Sequence, residues 1–277
     1  MNPKKIDIGG SHLDVIDVGE GPTILFVHGF PLDHRMWKFQ IEHLAEKFRL
    51  ICPDLPGFGK SPASHNRPTM RGFAEDLAAL LNALNIEQPV CYCGLSMGGY
   101  IGWQFQKYFP DRVSRLIACD TRAASDTEQV RRARKIAAQT VMTTGAAPVA
   151  ESMIEKLFYH RNVKHNKKMV TEVREVISST QPSSIASGQL AMSERPDQTE
   201  RLSQINIPTL FVVGEFDKIT TPQEVQEDSS LVPNSSLLII PDAGHLPPLE
   251  NHIEFNRGLL EFLNPSMHLP LPPENAT

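Results

Sequence analysis

The chain has 277 residues, 40% hydrophobic and 21% charged, a balance that excludes a largely disordered or fibrous polypeptide. A chain of this length can bury a sizeable core without disulfide or metal staples. Its net charge of −5 directs it neither to nucleic acid nor to an anionic membrane surface.

In chain order, Lys5–Ile8 and Leu13–Val18 alternate around Gly9-Gly10 and predict a hairpin. Thr23–Val27 is an unbroken apolar run of strand length, which suits a strand covered on both faces. A helical pattern runs from His34 to Lys47, with Met36, Trp37, Ile41 and Leu44 near the 3.6 period. Arg49–Cys52 predicts a short strand, followed by the loop Asp54-Leu-Pro-Gly-Phe-Gly-Lys-Ser61. Thr69 opens a helix that runs to about Leu84; Val90–Cys93 reads as strand, Met97–Tyr108 as helix and Val113–Cys119 as strand.

The pattern then changes. Residues 122–202 contain no strong buried strand and are dominated by helical segments at Glu128–Val141, Val149–Phe158, Lys167–Ser178 and Pro182–Met192. Alternation resumes with strand Ile207–Val213, helix Pro222–Leu231, strand Ser236–Ile240 and helix Glu250–Leu263. Asn264–Thr277 holds four prolines and no core pattern, so a flexible tail is expected.

Strands separated by helices predict an α/β fold with a mostly parallel sheet and right-handed crossovers. Residues 1–121 and 203–263 form the expected core. Residues 122–202 form an insertion expected above the carboxyl ends of the strands, where open α/β sheets bind ligands.

Cysteines 52, 91, 93 and 119 each lie in an apolar run and read as free buried thiols, consistent with a reducing compartment. The N-terminal residues show no apolar core of a secretory signal, and no stretch reaches the ~18 apolar residues of a membrane span. A cytoplasmic location is the default expectation.

The chemistry gathers at strand ends. Gly94-Leu-Ser96-Met-Gly98 lies between a predicted strand and a predicted helix, the context of a sharp turn that lifts a nucleophilic Ser96 above the sheet. The residues two before and two after Ser96 come too close to their surroundings for a Cβ, hence glycine. The Met97 N–H opens the helix and points at a reacting oxygen. An oxyanion needs a second donor. His28-Gly-Phe-Pro31 follows the Thr23–Val27 strand; Pro31 has no N–H, which leaves Phe30.

A serine nucleophile needs a base, and the base needs an orienting carboxylate. Val213 leads into Gly214-Glu-Phe-Asp217, and Ile240 into Pro241-Asp-Ala-Gly-His245. The order Ser, Asp, His is the one this motif class expects. His245 is the candidate base and Asp217 the candidate acid, with Asp120 as the alternative acid. Asp242 and Asp54 read as turn and structural residues.

Arg122 follows the Asp120 strand end. It either enters the pocket to pair with a substrate carboxylate or pairs locally with Asp120 or Asp126. Trp37, Met153, Phe158 and Met192 are either lining for an acyl pocket or core. His160 and His165 are five apart and do not make a helical metal pair. The basic runs Arg131–Lys135 and Lys164–Lys168 read as solvated helix faces.

His28-Gly-Phe-Pro31, Asp54–Ser61, Gly94-Leu-Ser-Met-Gly-Gly99, Gly214-Glu-Phe-Asp217 and Ala243-Gly-His-Leu246, in this order, resemble the α/β-hydrolase superfamily. The resemblance covers about residues 5–263, with a weaker match in the inserted block. Pro31–Trp37 and Asp120-Thr-Arg-Ala123 make the chain similar to bacterial carboxylesterases and 3-oxoadipate enol-lactonase-like enzymes.

The resemblance implies an eight-stranded sheet with a helical cap at 122–202. It implies Ser96 as nucleophile, Asp217 as acid, His245 as base, and Phe30 and Met97 as oxyanion donors. Arg122 and Trp37 are the candidates for substrate contact. The expected activity is hydrolysis of a small-molecule carboxylic ester or lactone through an acyl-enzyme, without cofactor or metal and without nucleic-acid or membrane partners. Oligomeric state stays open, a homo-oligomer included. The rival readings are acyl transfer or perhydrolysis by the same triad, a prolyl aminopeptidase-like use of it, and a non-catalytic ligand-binding protein. A haloalkane dehalogenase is disfavoured because Ser96 stands where its aspartate nucleophile would be.

Overall fold

The computed structural model describes residues 2–63 and 68–264. Eight strands form a single sheet: β1 Lys4–Asp7, β2 His12–Val18, β3 Thr23–Val27, β4 Arg49–Pro53, β5 Val90–Leu95, β6 Val113–Cys119, β7 Thr209–Gly214 and β8 Ser235–Ile240. Their spatial order is β1-β2-β4-β3-β5-β6-β7-β8. β2 is antiparallel to both β1 and β4, and every other pairing is parallel. The fold is therefore the expected mostly parallel α/β-hydrolase arrangement, with antiparallel pairing confined to one edge.

The helices are α1 Lys38–Leu44, α2 Met70–Ala83, α3 Met97–Tyr108, α4 Glu128–Thr144, α5 Ala147–Leu157, α6 His160–His165, α7 Lys167–Ser179, α8 Pro182–Ser193, α9 Pro222–Leu231, α10 Pro247–Glu250 and α11 His252–Leu263. Among the described residues no helix is long and apolar enough to cross a membrane. The expected tail lies, Asn264 apart, outside the described residues.

β3 shows why its sequence reads as an unbroken apolar run. Side chains alternate across a strand. Leu25 and Val27 face the layer holding Phe73, Leu77, Ile101 and Phe105 of α2 and α3. Ile24 and Phe26 face the layer holding Ile41, Leu44, Phe255 and Leu259 of α1 and α11. Both faces are covered from Ile24 to Val27, so no position there is left for a polar residue. Burying each such side chain contributes about 1.5–3 kcal/mol.

Several boundaries differ from the expectation for identifiable reasons. The predicted His34–Lys47 helix begins as a 3-10 turn, His34–Trp37, because the Asp33 side chain caps Arg35 N–H. Pro208 has no N–H for a ladder, and β7 starts after it. The predicted Glu250–Leu263 helix is interrupted at Asn251, whose φ is −138° and whose side chain accepts from Glu254 N–H to start α11. The helix α6 and a 3-10 turn at Thr199–Gln204 lie outside the predicted elements.

Between β6 and β7 the chain inserts α4–α8. α4 packs on α8, and α5 on α7. The two ends of the insertion are stitched together. Gln198 N–H donates to the Ala123 carbonyl at 3.0 Å, and Ser125 N–H to Asp197 at 2.8 Å. Asp126 accepts from Arg134 at 2.6 Å and from the buried Arg195 at 2.5 Å. The Arg195 guanidinium lies over the Tyr100 ring of α3.

Candidate active site

Ser96 joins β5 to α3 with φ 55° and ψ −112°, outside the helical and strand regions. A residue held there is strained, and the surroundings must enforce it. Ser96 N–H donates to the Cys119 carbonyl, while the Ser96 carbonyl accepts from Gly99, Tyr100 and the Thr121 hydroxyl. A Cβ at Gly94 would sit 2.3 Å from the Gly98 carbonyl oxygen, and one at Gly98 would sit 2.2 Å from that of Val27. Gly98 is thus required by the neighbouring strand β3 and Gly94 by the turn itself. Ser96 is half-buried while the residues on either side are buried, so its side chain is the part of the turn left accessible.

The loop after β3 lies against this turn. A Cβ on Gly29 would come 3.4 Å from Ser96 Cβ. His28 holds the loop. Its Nδ1 contacts the Gly29 carbonyl at 2.9 Å, and its Nε2 lies 3.0 Å from Leu55 N–H. The first contact requires a donor and the second an acceptor, so the ring is the neutral Nδ1–H tautomer. Burial lowers its pKa, which favours the same neutral form. Asp54 fixes the next loop by accepting from His34 N–H, His34 Nδ1 and Lys60 N–H. Among the described residues the N–H groups of Phe30 and Met97 have no acceptor.

Asp217 and His245 follow β7 and β8. The two loops are laced together: Glu215 N–H donates to the Ile240 carbonyl and Phe216 N–H to the Ala243 carbonyl. Asp217 Oδ1 accepts from Ile219 N–H at 2.7 Å and Thr220 N–H at 3.2 Å, and its Oδ2 lies 2.7 Å from His245 Nδ1. Both side chains are buried. The contact assigns the proton to Nδ1 and leaves Nε2 as the imidazole's acceptor.

His245 is also held through its backbone, which donates to the Leu157 carbonyl of α5. The flanking N–H groups of Gly244 and Leu246 both donate to Glu250 Oε1. Glu250 Oε2 accepts from Tyr159 N–H and Asn162 Nδ2 in the inserted block. Sequence reasoning missed Glu250. Its signal is an acidic residue five positions after a loop histidine, at the end of the short helix α10.

Ser96 and His245 open into one cavity of about 250 Å³, lined also by Phe30, Tyr100 and, from the insertion, Arg134, Met153, Lys156, Ile185, Gln189 and Met192. A larger concavity of about 510 Å³ lies at the other ends of the strands, near Arg49 and Arg115. It brings no serine, histidine and carboxylate together.

Two proposed substrate contacts are placed elsewhere. Trp37 is fully buried between Phe26 and Phe255, with ring centroids 4.8 and 6.3 Å away, and does not line the cavity. Phe158 is core as well. Arg122 is not among the residues that line the cavity: its Nη1 donates to Glu224 at 2.8 Å and its Nη2 to the Ile219 carbonyl. Neither Asp120 nor Asp126 is its partner. Asp242 has the positive φ, 53°, of a turn residue. The four cysteines are free and buried, and burial raises the Cys91 thiol to about 12, far from a reactive thiolate.

A sequence model described as the alpha/beta hydrolase fold matches residues 22–252. The chain is 28% identical to 3-oxoadipate enol-lactonase 2 of Acinetobacter baylyi, over 86% of this chain and 87% of that one. Among solved structures, a thermophilic esterase from Thermogutta terrifontis superposes with a TM-score of 0.92 at 39% identity, covering 96% of this chain and 99% of that one. The enol-lactonase from Burkholderia xenovorans superposes with a TM-score of 0.88 at 25% identity, covering 94% and 100%.

Proposed function

Since the chain belongs to the alpha/beta hydrolase fold family, we propose that it is a serine hydrolase that cleaves carboxylic esters of small or medium acyl groups, lactones included, through Ser96, His245 and Asp217. The observation that carries this reading is the 2.7 Å Asp217–His245 contact opening on the same cavity as the strained Ser96. The esterase and enol-lactonase relatives support the substrate class.

The ester carbonyl lies over Ser96 with its oxygen toward Phe30 and Met97. Ser96 Oγ attacks the carbonyl carbon as His245 Nε2 takes the hydroxyl proton. Asp217 stabilises the resulting imidazolium without taking its proton. The negative charge that develops on the carbonyl oxygen meets two N–H groups that have no other acceptor, one of them at the positive end of α3. Collapse of the tetrahedral intermediate breaks the bond to the alkoxy oxygen, which leaves with the proton from His245. Water then attacks the acyl-enzyme with His245 again as base, releasing the acid and restoring Ser96. A lactone follows the same steps, with the leaving alcohol still joined to the acyl chain.

The inserted helices serve in this reading as a cap. They supply the apolar wall at Met153, Ile185 and Met192, and the polar side chains of Arg134, Lys156 and Gln189. A panel of p-nitrophenyl esters and lactones tests the proposal. The wild type should hydrolyse short acyl esters, and Ser96→Ala should lose that turnover. Wild-type rates in the variant would overturn it.

A further inference from the structure

Asp120 is a buried carboxylate that the mechanism above does not use. It follows β6 directly, with φ 46°, a strained conformation for a non-glycine residue. Its backbone N–H donates to the Val212 carbonyl, and its Oδ1 accepts from Gly214 N–H at 2.9 Å. The side chain is thereby aimed at the turn that carries Asp217. Oxygen or nitrogen atoms of Asp120, Asp217 and His245 all lie within 4.8 Å of one another. Asp120 Oδ2 is buried and has no hydrogen-bond donor among the described residues.

The surroundings offer no charge to balance a second anion. Facing Asp120 are Asp217 after β7, His245 after β8 and the Cys119 thiol of β6. Arg122, two residues on, is committed to Glu224 and the Ile219 carbonyl. An ionised carboxylate oxygen can only accept hydrogen bonds. Two such oxygens facing each other in a dry site, one without a donor, are strongly unfavourable. A single proton between them removes the conflict, because it turns the orphaned oxygen into a donor and its neighbour into the acceptor.

We propose that Asp120 is a positioning residue that keeps its carboxyl protonated and donates its Oδ2–H to Asp217, so that the two carboxyl groups together carry one negative charge. Burial and the neighbouring Asp217 charge both act on Asp120 in this direction, holding its proton well above the ordinary carboxylate range. Asp217 serves as the acceptor in this pair because it alone hydrogen-bonds His245 Nδ1 and accepts two further N–H groups. The proton stays on Asp120 throughout turnover. Its effect is to limit the negative charge beside His245 to one, so that the imidazole is not over-stabilised as the cation and remains free to accept the Ser96 proton.

The consequence for turnover rests on the reading of Ser96, His245 and Asp217 given above, but the protonation itself does not. The decisive experiment is a pH titration of carboxyl carbon signals in the full chain labelled with 13C-aspartate, Asp120→Asn identifying the signal. It is paired with pH profiles of kcat/KM for p-nitrophenyl butyrate. Asp120 should remain the neutral acid at pH 7. Asp120→Asn keeps a neutral donor, so its acidic limb should coincide with that of the wild type and its kcat should stay within about threefold. Asp120→Ala leaves Asp217 without the donor. Its acidic limb should move to higher pH, and kcat should fall about tenfold with KM little changed.

An Asp120 signal ionised at pH 7 would overturn the proposal. So would an acidic limb that moves to lower pH in Asp120→Asn, as loss of a real negative charge requires, or an Asp120→Ala enzyme with an unchanged limb. Should the wild type hydrolyse no ester at all, the functional reading fails while the carbon titration still decides the state of Asp120.

Discussion

Whether an imidazole can take a proton depends on which of its nitrogens already holds one. Asp217 settles this for His245 by accepting from Nδ1. In Asp217→Asn the amide group can donate toward Nδ1, which favours the tautomer with its proton on Nε2, the wrong side for a base. The variant should fold normally and lose about 10³–10⁴-fold in kcat, read by single-substrate kinetics alongside thermal unfolding. A loss below tenfold would reassign the acid. At Gly98 the prediction concerns stability instead. The added methyl of Gly98→Ala would lie 2.2 Å from the Val27 carbonyl oxygen, backbone that cannot rotate away. Denaturant unfolding should show a loss of about 1–3 kcal/mol.

His245 stands on a loop, and the elements around it determine how still it is. Glu250, at the end of α10, accepts four N–H groups, two flanking His245 and two in the inserted block. Glu250→Gln would turn an amide NH₂ toward donors on one side. It should lower the unfolding free energy by about 2–3 kcal/mol and reduce kcat, with Glu250→Ala comparable. A glutamine variant of wild-type stability would show that water replaces these bonds without loss.

Where the insertion leaves the core, Asp228 of α9 accepts from Ala123 N–H at 2.7 Å. Burial raises its carboxyl to about 6 from the ordinary 3.8. The folded chain therefore holds this proton more tightly than the unfolded chain. The stability it contributes is complete below about pH 4 and is lost as pH rises through about 6. Asp228→Asn keeps an oxygen for Ala123 and removes the titration. Relative to wild type, the variant should gain about 1–2 kcal/mol on going from pH 4 to pH 7, measured by urea unfolding at both values. A pH-independent difference would place the titration elsewhere.

On the scale of the molecule, the chain order made the sheet legible. Apolar runs covered on both faces, as at Thr23–Val27, alternate with helical periods, and a parallel sheet places the following loops at one end. Ser96, Asp217 and His245 stand out in the sequence because each follows such a run. Arg122 and Trp37 show where that reasoning stops. Position after a strand or within a helix does not fix the direction of a side chain. The partner of Arg122 lies 102 residues further along the chain, and Trp37 turns toward the sheet from a 3-10 turn that the helical period did not reveal. Glu250 is illegible in the sequence for the same reason, since its donors come together only when α10, the histidine loop and the insertion meet.

The cavity sets a limit that the sequence could not. At about 250 Å³ it has room for the short acyl chain of the proposed substrate. Ester hydrolysis should therefore fall from butyrate to palmitate, each methylene left in water forfeiting about 0.8 kcal/mol of binding. Rates that rise with chain length would mean that the inserted helices open to admit longer substrates.

The proposed chemistry requires that one hydroxyl, at Ser96, becomes acylated. Treating the full chain with a fluorophosphonate and measuring intact and peptide masses tests it most directly. A single adduct is expected on the peptide that contains Ser96, abolished in Ser96→Ala together with ester hydrolysis. An adduct on another residue, or an enzyme that hydrolyses esters at the wild-type rate without Ser96, would contradict it.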